Sequence, residues 1–312
     1  MNNTTHHIIP GTPEHARLMT ASKVAAALAL SPHKMRAVLW HEMRGEGPSQ
    51  EVTDAMKRGT IQEDSIIQWF FQIMHPDLEK RSGEVTVTRD DMPWAAANPD
   101  AVAITEGGRI VFVEAKSVAR AKVANGKVEA DEWGRPGTDE IPLYYYVQCM
   151  WQMHMTHGES GEHVTETRLI KHGPFVDQYD EYIITYDAAT AQNIAHTVQE
   201  FYDSLTLNEC PWPIEDKVGI HQFFANINPD VVPDSSWEIA EELAIEYIDA
   251  KDAKKQAQAH EDGVKARILK AMGTAKNVTC NGHKIAYRRS TKKGVSLYPP
   301  MNAPTVQDIT TK

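Results

Sequence analysis

The sequence predicts an α/β (α+β) fold, in which helices flank a small mixed sheet and a helical plus β-hairpin extension follows. Three features of the chain carry that prediction. Ile66, Ile67, Phe70, Phe71 and Met74 recur at three- and four-residue steps, which puts them on one face of a helix. Segments 84–88, 94–98, 101–104 and 110–116 are short and strand-like, with Gly107-Gly108 as a hairpin signal between the last two. Helical periodicity returns after residue 141, and further strand-like runs follow near 165–171 and 181–186.

Each element has a local cause. Residues 1–13 carry His6, His7, Pro10, Gly11 and Pro13 without periodicity and read as a loose arm, with metal binding by the paired histidines as the alternative. Ser22 can cap a short helix through Val24, Ala25 and Leu28, and Ser31-Pro32 opens a second through Met35, Val38 and Leu39. A longer helix follows the Gly45-Glu46-Gly47-Pro48 break. Residues 117–140 are polar and contain Gly and Pro, as expected of a long mobile loop. A helix over about 141–156 precedes the two later strands, and Asp187 can cap another reaching about Leu207. Pro211, Pro213, Pro229 and Pro233 mark a connector at 209–234, between a main domain at 1–208 and an extension at 235–312. That extension reads as a long helix over 235–272, with a bend possible at Gly263, then basic strands at 283–289 and 295–298.

Composition narrows the function. A chain of 312 residues can bury a sizeable core. No run approaches the roughly 18 apolar residues of a membrane span, and the start lacks the order of a secretory signal. A cytoplasmic protein without a membrane partner is expected. Cys149, Cys210 and Cys280 lie far apart, which argues against a disulfide framework, a zinc knuckle or an Fe-S cluster and predicts thiols packed as small hydrophobes. The net charge of −11 argues against nonspecific coating of nucleic acid but leaves room for a local basic channel.

Chemistry concentrates at one end of the expected sheet. Pro99-Asp100 precedes the hairpin, and Glu114-Ala115-Lys116 follows the apolar run Ile110-Val111-Phe112-Val113, which suits a strand covered on both faces. Side chains two apart on a strand share a face, so Glu114 and Lys116 project together, with Asp100 on the neighbouring strand. Two close carboxylates repel, and a divalent cation resolves the conflict; hard oxygen donors favour Mg²⁺, with Mn²⁺ as a substitute. Such an ion polarises a phosphoryl group and activates water, while Lys116 can orient that water or stabilise developing charge. The alternative is a surface salt bridge between Glu114 and Lys116, worth no more than about 1 kcal/mol. Glu63 falls on the apolar side of its helix, where a carboxylate is costly unless paired or metal-linked. Gly59, one turn earlier, leaves room for close approach of substrate or sheet, or merely loosens the helix start. Tyr144, Tyr145, Gln148 and Gln152 form a stripe on the later helix; Gln148 can bond a metal-bound water or a phosphate without adding charge, while Tyr144 and Tyr146 read as core.

These pieces resemble the YqaJ-type viral recombinase family, which includes phage lambda exonuclease and has a PD-(D/E)xK, restriction-endonuclease-like core. They occur in family order: Thr20-Ala21-Ser22 with Val24 and Ser31-Pro32; Gly59-x-x-x-Glu63; Asn98-Pro99-Asp100; Glu114-Ala115-Lys116; then Trp133-Gly134 and Ile141-Pro142 leading into Tyr145-x-x-Gln148. The resemblance covers about 15–157, and the following strands and helix extend the core to about 208. It implies a Mg²⁺-dependent DNA exonuclease that digests duplex ends, 5′ to 3′, to make single-stranded tails for phage-type homologous recombination. Asp100, Glu114 and the Ala115 carbonyl would hold the metal, Lys116 would be the catalytic lysine, and Glu63 and Gln148 would complete the site. Ser22 and Arg17 would hold a 5′-terminal phosphate, with Tyr145 as a further DNA contact. The segment before Ser22 departs from the family spacing, and Met150 replaces a frequent second glutamine. The resemblance also implies duplex ends and a RecT/Red-beta-like single-strand annealing protein as partners. A homo-oligomer, as a trimeric ring, and a phage or prophage origin in a bacterial host cell complete it.

Two other functions share these features. A restriction-like or structure-specific endonuclease would use the same fold, and a catalytically silent DNA-binding or assembly protein would retain it. The intact Asp100, Glu114 and Lys116 set argues against the silent protein. Arg288, Arg289, Lys292 and Lys293 in the last hairpin could add accessory phosphate contacts, or be an ordinary solvated surface.

Overall fold

A computed structural model describes residues 17–48, 53–81, 85–118, 123–124, 127–128, 133–158, 162–173, 177–217, 219–227, 229–291, 294–300 and 303–310. They fall into two compact units, one drawn from 1–121 and 130–229, the other from 122–129 and 230–312.

The first unit opens with β1 (Met19–Thr20), α1 (Ala21–Ala27), α2 (Arg36–Met43) and α3 (Asp54–Trp69), which continues as a π-helical turn at Phe70–Met74. Thr53 caps α3, its Oγ1 accepting the Met56 N–H at 3.2 Å. There follow β2 (Glu79–Lys80), β3 (Val87–Arg89), β4 (Met92–Ala97), β5 (Ala101–Ile104) and β6 (Ile110–Ser117). After the short β7 (Val123–Ala124) and β8 (Lys127–Val128) of the other unit come α4 (Leu143–His154), β9 (Glu166–His172), β10 (Tyr179–Thr185), α5 (Ala188–Ser204) and α6 (Ile220–Ala225).

The central sheet has the order β10-β9-β6-β5-β2, antiparallel except where β6 runs parallel to β9. A smaller sheet, β1-β4-β3, lies in the same unit. The apolar run of β6 is buried on both faces, as its composition predicts. Val111, Val113 and Ala115 pack with Ile66, Ile67 and Phe70 of α3 and its π turn. Phe112 belongs to the larger core with Leu169, Tyr182 and the buried residues of α4. Phe70 is fully buried, a contribution of about 1.5–3 kcal/mol for one such side chain. The buried indoles of Trp40 and Trp151 donate to the carbonyls of Ser204 and Ala96, at 3.0 and 3.3 Å, so neither N–H is left unsatisfied.

Several local expectations change. Ser22 is not the cap of α1: β1 pairs with β4 through Thr20, so the extended cap residue is Thr20 and Ser22 lies in the first turn. The segment at 117–140 contains the β7–β8 pair, and the Asn125-Gly126 between those strands is a hairpin sequence signal. Within 209–234, α6 is helical, and the Arg36 guanidinium stacks 3.4 Å from the Trp212 ring. Gly59 does not approach the sheet: a Cβ there would meet nothing within 4 Å. Cys149 is buried as expected, whereas Cys210 is half-buried and Cys280 exposed. The arm at 1–13, with His6 and His7, lies outside the described residues.

In the second unit, α7 (Glu241–Met272) is one uninterrupted helix that runs through Gly263. An interior glycine costs about 1 kcal/mol relative to alanine but keeps its backbone hydrogen bonds. The basic hairpin gains a third strand, in the order β11 (Asn277–Cys280), β12 (His283–Thr291), β13 (Gly294–Tyr298), and α8 (Val306–Thr310) follows. Asn281 and Gly282, both at positive φ, make the tight β11–β12 turn. No helix among the described residues is long and apolar enough to cross a membrane.

Candidate active site

Hairpin register assembles the site. Ala101 pairs with Val113, so Asp100, one residue before β5, comes level with the polar end of β6. Asp100 Oδ2 accepts the Ala115 N–H at 2.8 Å. Glu114 is 1% exposed and therefore needs partners. Its Oε1 accepts from the Lys116 ammonium and from Gln148 Nε2, and its Oε2 accepts from Gln152 Nε2 at 2.7 Å. Both glutamines come from α4, one turn apart. Ser117 Oγ donates to Gln62 Oε1, tying the end of β6 to α3 beside Glu63.

Electrostatics follow from this crowding. Burial first, and then the Glu114 charge, push the Asp100 carboxyl well above the usual range against the pull of Lys116. Burial and Glu114 likewise raise Glu63, so α3 does bring that carboxylate into the field of the site. Burial alone would lower the Lys116 pKa, but Glu114 and Asp100 overcome it and hold the ammonium charged. The Tyr145 ring lies 5.3 Å from Lys116 Nζ. Burial, then Glu114, raises the neighbouring Cys149 thiol, which keeps it an inert hydrophobe.

Asp100, Glu114, Lys116, Glu63, Gln148 and Tyr145 therefore converge. Ser22 and Arg17 do not join them through any hydrogen bond or ion pair among the described residues. Ser22 is exposed, its Oγ 3.2 Å from Thr20 Oγ1, and Arg17 is exposed just before β1. Arg288 and Arg289 belong to the second unit, where Arg288 donates to the Gly273 carbonyl and Arg289 faces the Tyr298 ring at 5.9 Å. Lys292 and Lys293 lie outside the described residues. Gln152 takes a role in the site that its place in the polar stripe did not single out.

Among the described residues, no three His, Cys, Asp or Glu side chains form a ready-made cation cluster. The groups that could hold a cation are instead the Asp100 and Glu114 carboxylates with the Ala115 carbonyl, hard oxygens of the kind Mg²⁺ takes. A carboxylate offers about four acceptor positions, and Glu114 uses three of them. The set fits a divalent ion that keeps part of its water shell.

Residues 13–159, which include this whole convergence, match the family described as the YqaJ-like viral recombinase domain. This part of the chain is similar to the YqaJ-like viral recombinase domain. The chain is similar to solved structures of exonucleases. One is an alkaline exonuclease (LHK-Exo) from Laribacter hongkongensis, at 20% identity over 61% of this chain and 88% of that one, with a TM-score of 0.40. Another is the Shutoff and Exonuclease Protein of Kaposi's sarcoma-associated herpesvirus, at 9% identity over 60% and 66%, with a TM-score of 0.34. No curated protein matches the chain.

Proposed function

We propose that this chain is a Mg²⁺-dependent DNA exonuclease that digests duplex ends, 5′ to 3′, and leaves single-stranded tails for homologous recombination. The observation that carries the reading is the buried Glu114, held by the Lys116 ammonium and two α4 amides and level with Asp100 across the β5–β6 hairpin. A structural ion pair does not require a second carboxylate whose pKa is driven up beside the first. The YqaJ-like viral recombinase domain supports the recombination setting.

In this reading Asp100, Glu114 and the Ala115 carbonyl hold Mg²⁺, which supplies Lewis-acid activation of phosphate and water when bound. Lys116 orients the attacking water and offsets charge developing on the phosphate. Gln148 and Gln152 fix the Glu114 carboxylate, and Glu63 adds a carboxylate from α3. Tyr145 lies beside Lys116 as a contact for the DNA strand, while Ser22 and Arg17 are assigned to a 5′-terminal phosphate. The nuclease domain is 1–208, joined through 209–234 to an extension at 235–312, where Arg288, Arg289, Lys292 and Lys293 add phosphate contacts. Duplex ends are the substrate, a single-strand annealing protein takes up the product, and the protein works as a ring-forming homo-oligomer in the cytoplasm of a phage-bearing bacterial host.

Linear duplexes labelled at the 5′ or 3′ end, with and without a 5′ phosphate, test this beside covalently closed circles, in Mg²⁺ or in EDTA. Release from linear DNA alone, in Mg²⁺, from the 5′ strand and faster with a 5′ phosphate, is expected. Nicking of closed circles would replace the exonuclease by an endonuclease of the same fold. Intact DNA in every lane would leave a catalytically silent binding protein.

A further inference from the structure

We propose that Trp69, the outer ring of a stack with Tyr179 and His172, is a platform for an unpaired base of the strand entering the nuclease site. The proposal rests on the nuclease reading above and names how that site grips a nucleobase near the phosphate it cuts.

A helix face and the sheet register place the stack. Gln62, Ile66 and Trp69 follow one another at steps of four and three, and so share one face of α3. At one end of that face Gln62 accepts from Ser117 of β6, and at the other Trp69 lies on Tyr179 of β10. Ser117 pairs with His172 of β9, and His172 pairs with Tyr179. Each is the terminal residue of its strand: Ser117 ends β6, His172 ends β9 and Tyr179 begins β10. The row is therefore the rim of the sheet, one residue beyond Lys116, and a strand crossing the rim meets Lys116 from one face and the rings from the other. Strands lie about 4.8 Å apart, which puts Tyr179 about 10 Å from β6. A duplex strand rises about 3.4 Å per nucleotide, so the rings stand about three nucleotides from a phosphate at Lys116.

The rings are nearly parallel. Trp69 stacks on Tyr179 with centroids 4.6 Å apart and planes 11° apart, and Tyr179 stacks on His172 at 4.3 Å and 18°. Trp69 and His172 make no ring contact with each other, so they cover opposite faces of Tyr179. Trp69 is the outer member and is 39% exposed. The indoles of Trp40 and Trp151 bond carbonyls inside the fold, whereas the Trp69 N–H bonds no group among the described residues. The next residue, Phe70, is fully buried and opens the π turn, a distortion found frequently at functional positions. Stacking on Tyr179 orders the Trp69 ring in advance, so a base can lie on it without the entropy cost of fixing a loose side chain. Every base has a π face, so such a platform suits a site that must accept each base in turn.

The test measures binding of a 5′-phosphorylated linear duplex by anisotropy in EDTA, across a range of salt, for the full chain and three variants. The terminal bases of the duplex are left unpaired, so that an abasic residue among them removes a stacking surface and no base pair. Trp69→Ala should weaken binding about fivefold or more, the lower end of what one stacked base contributes. The slope of log K against log salt should stay as in the parent, because no phosphate contact is lost. Trp69→Phe should keep most of the affinity, and Trp69→Leu, apolar but without a π face, should not. In the parent, an abasic residue about three nucleotides from the 5′ end should cost as much as Trp69→Ala does. In Trp69→Ala the same abasic residue should cost nothing more. Parental binding in Trp69→Ala or Trp69→Leu overturns the proposal, and so does an equal abasic cost in the parent and Trp69→Ala. Weaker binding that tracks a smaller assembly by light scattering and ignores the abasic residue would make Trp69 a contact between copies, and overturns it too. Should Trp69→Ala fail to fold, Trp69→Phe and Trp69→Leu with the abasic series answer the same question. Nucleotide release in Mg²⁺ is scored on the same samples. A parent that shows the abasic effect and releases nothing counts against the nuclease reading alone, and one that releases nucleotides without that effect counts against the platform alone.

Discussion

Gln152 Nε2 donates to Glu114 Oε2 across 2.7 Å, while the amide's own Oε1 is buried with no hydrogen-bond partner among the described residues. A hydrogen bond to a charged group is worth about 1.5–3 kcal/mol, and relieving an unsatisfied buried carbonyl returns about 1–3 kcal/mol. Gln152→Leu is therefore expected to change unfolding free energy by no more than about 1 kcal/mol. Nucleotide release should fall about tenfold or more, since each tenfold is about 1.4 kcal/mol of barrier. Urea unfolding and a release assay check the pair, and the reverse pattern would make Gln152 a packing residue.

Lys116→Ala should abolish Mg²⁺-dependent release and leave DNA binding largely intact. It also strands a carboxylate that is 1% exposed, and breaking a buried pair costs about 3–5 kcal/mol. The double variant Glu114→Gln/Lys116→Met should recover most of that stability and none of the activity. Urea midpoints in EDTA, read beside release in Mg²⁺, separate the two effects. Parental activity in Lys116→Ala would refute the site assignment.

Gly59 lies within α3 with open space where a Cβ would sit. Gly59→Ala is expected to stabilise the protein by about 0.5–1 kcal/mol, because alanine loses less backbone entropy in a helix. A thermal melt reads this directly. A lower melting temperature would reveal a neighbour that needs the glycine.

His154 supplies an acid-side prediction. Arg89 Nη1 lies 3.1 Å from His154 Nε2, and a guanidinium only donates, so Nε2 accepts and the ring is neutral, with Nδ1 facing Tyr186 Oη at 3.0 Å. Burial first, then Arg89 and His157, lower its pKa from 6.5 to about 4. The unfolded chain then binds more protons than the folded one between about pH 6.5 and 4, so stability present above that window is lost as pH falls through it. The loss should be on the order of 2 kcal/mol, at about 1.4 kcal/mol per unit and allowing for partial solvent screening. Urea unfolding at pH 7 and pH 4.5 should show a larger drop in the parent than in His154→Gln. Equal drops would move the acid sensitivity elsewhere.

The paired carboxylates and the lysine were legible because their geometry is local. Strand alternation puts Glu114 and Lys116 on one face, and a short hairpin sets Asp100 opposite them. The apolar run of β6 likewise announced a strand covered twice. Gln148 was legible on its stripe, but its neighbour one turn on was not separable from it, because the pitch of a helix says nothing about which polar group its crossing angle delivers to a carboxylate. The third strand of the C-terminal sheet was missed although Asn281-Gly282 marks its turn.

Residue order alone specified the helical face on α3, the doubly buried strand and the acid–acid–lysine set at its end, since periodicity and tight turns act over a few residues. The pairing that sets Lys116 level with Lys171, and Lys171 level with Asp180, had no trace there. It exists because β6 and β9 run parallel across an intervening helix, and the register of such a pairing is chosen by how α3 and α4 pack on the two faces of the sheet.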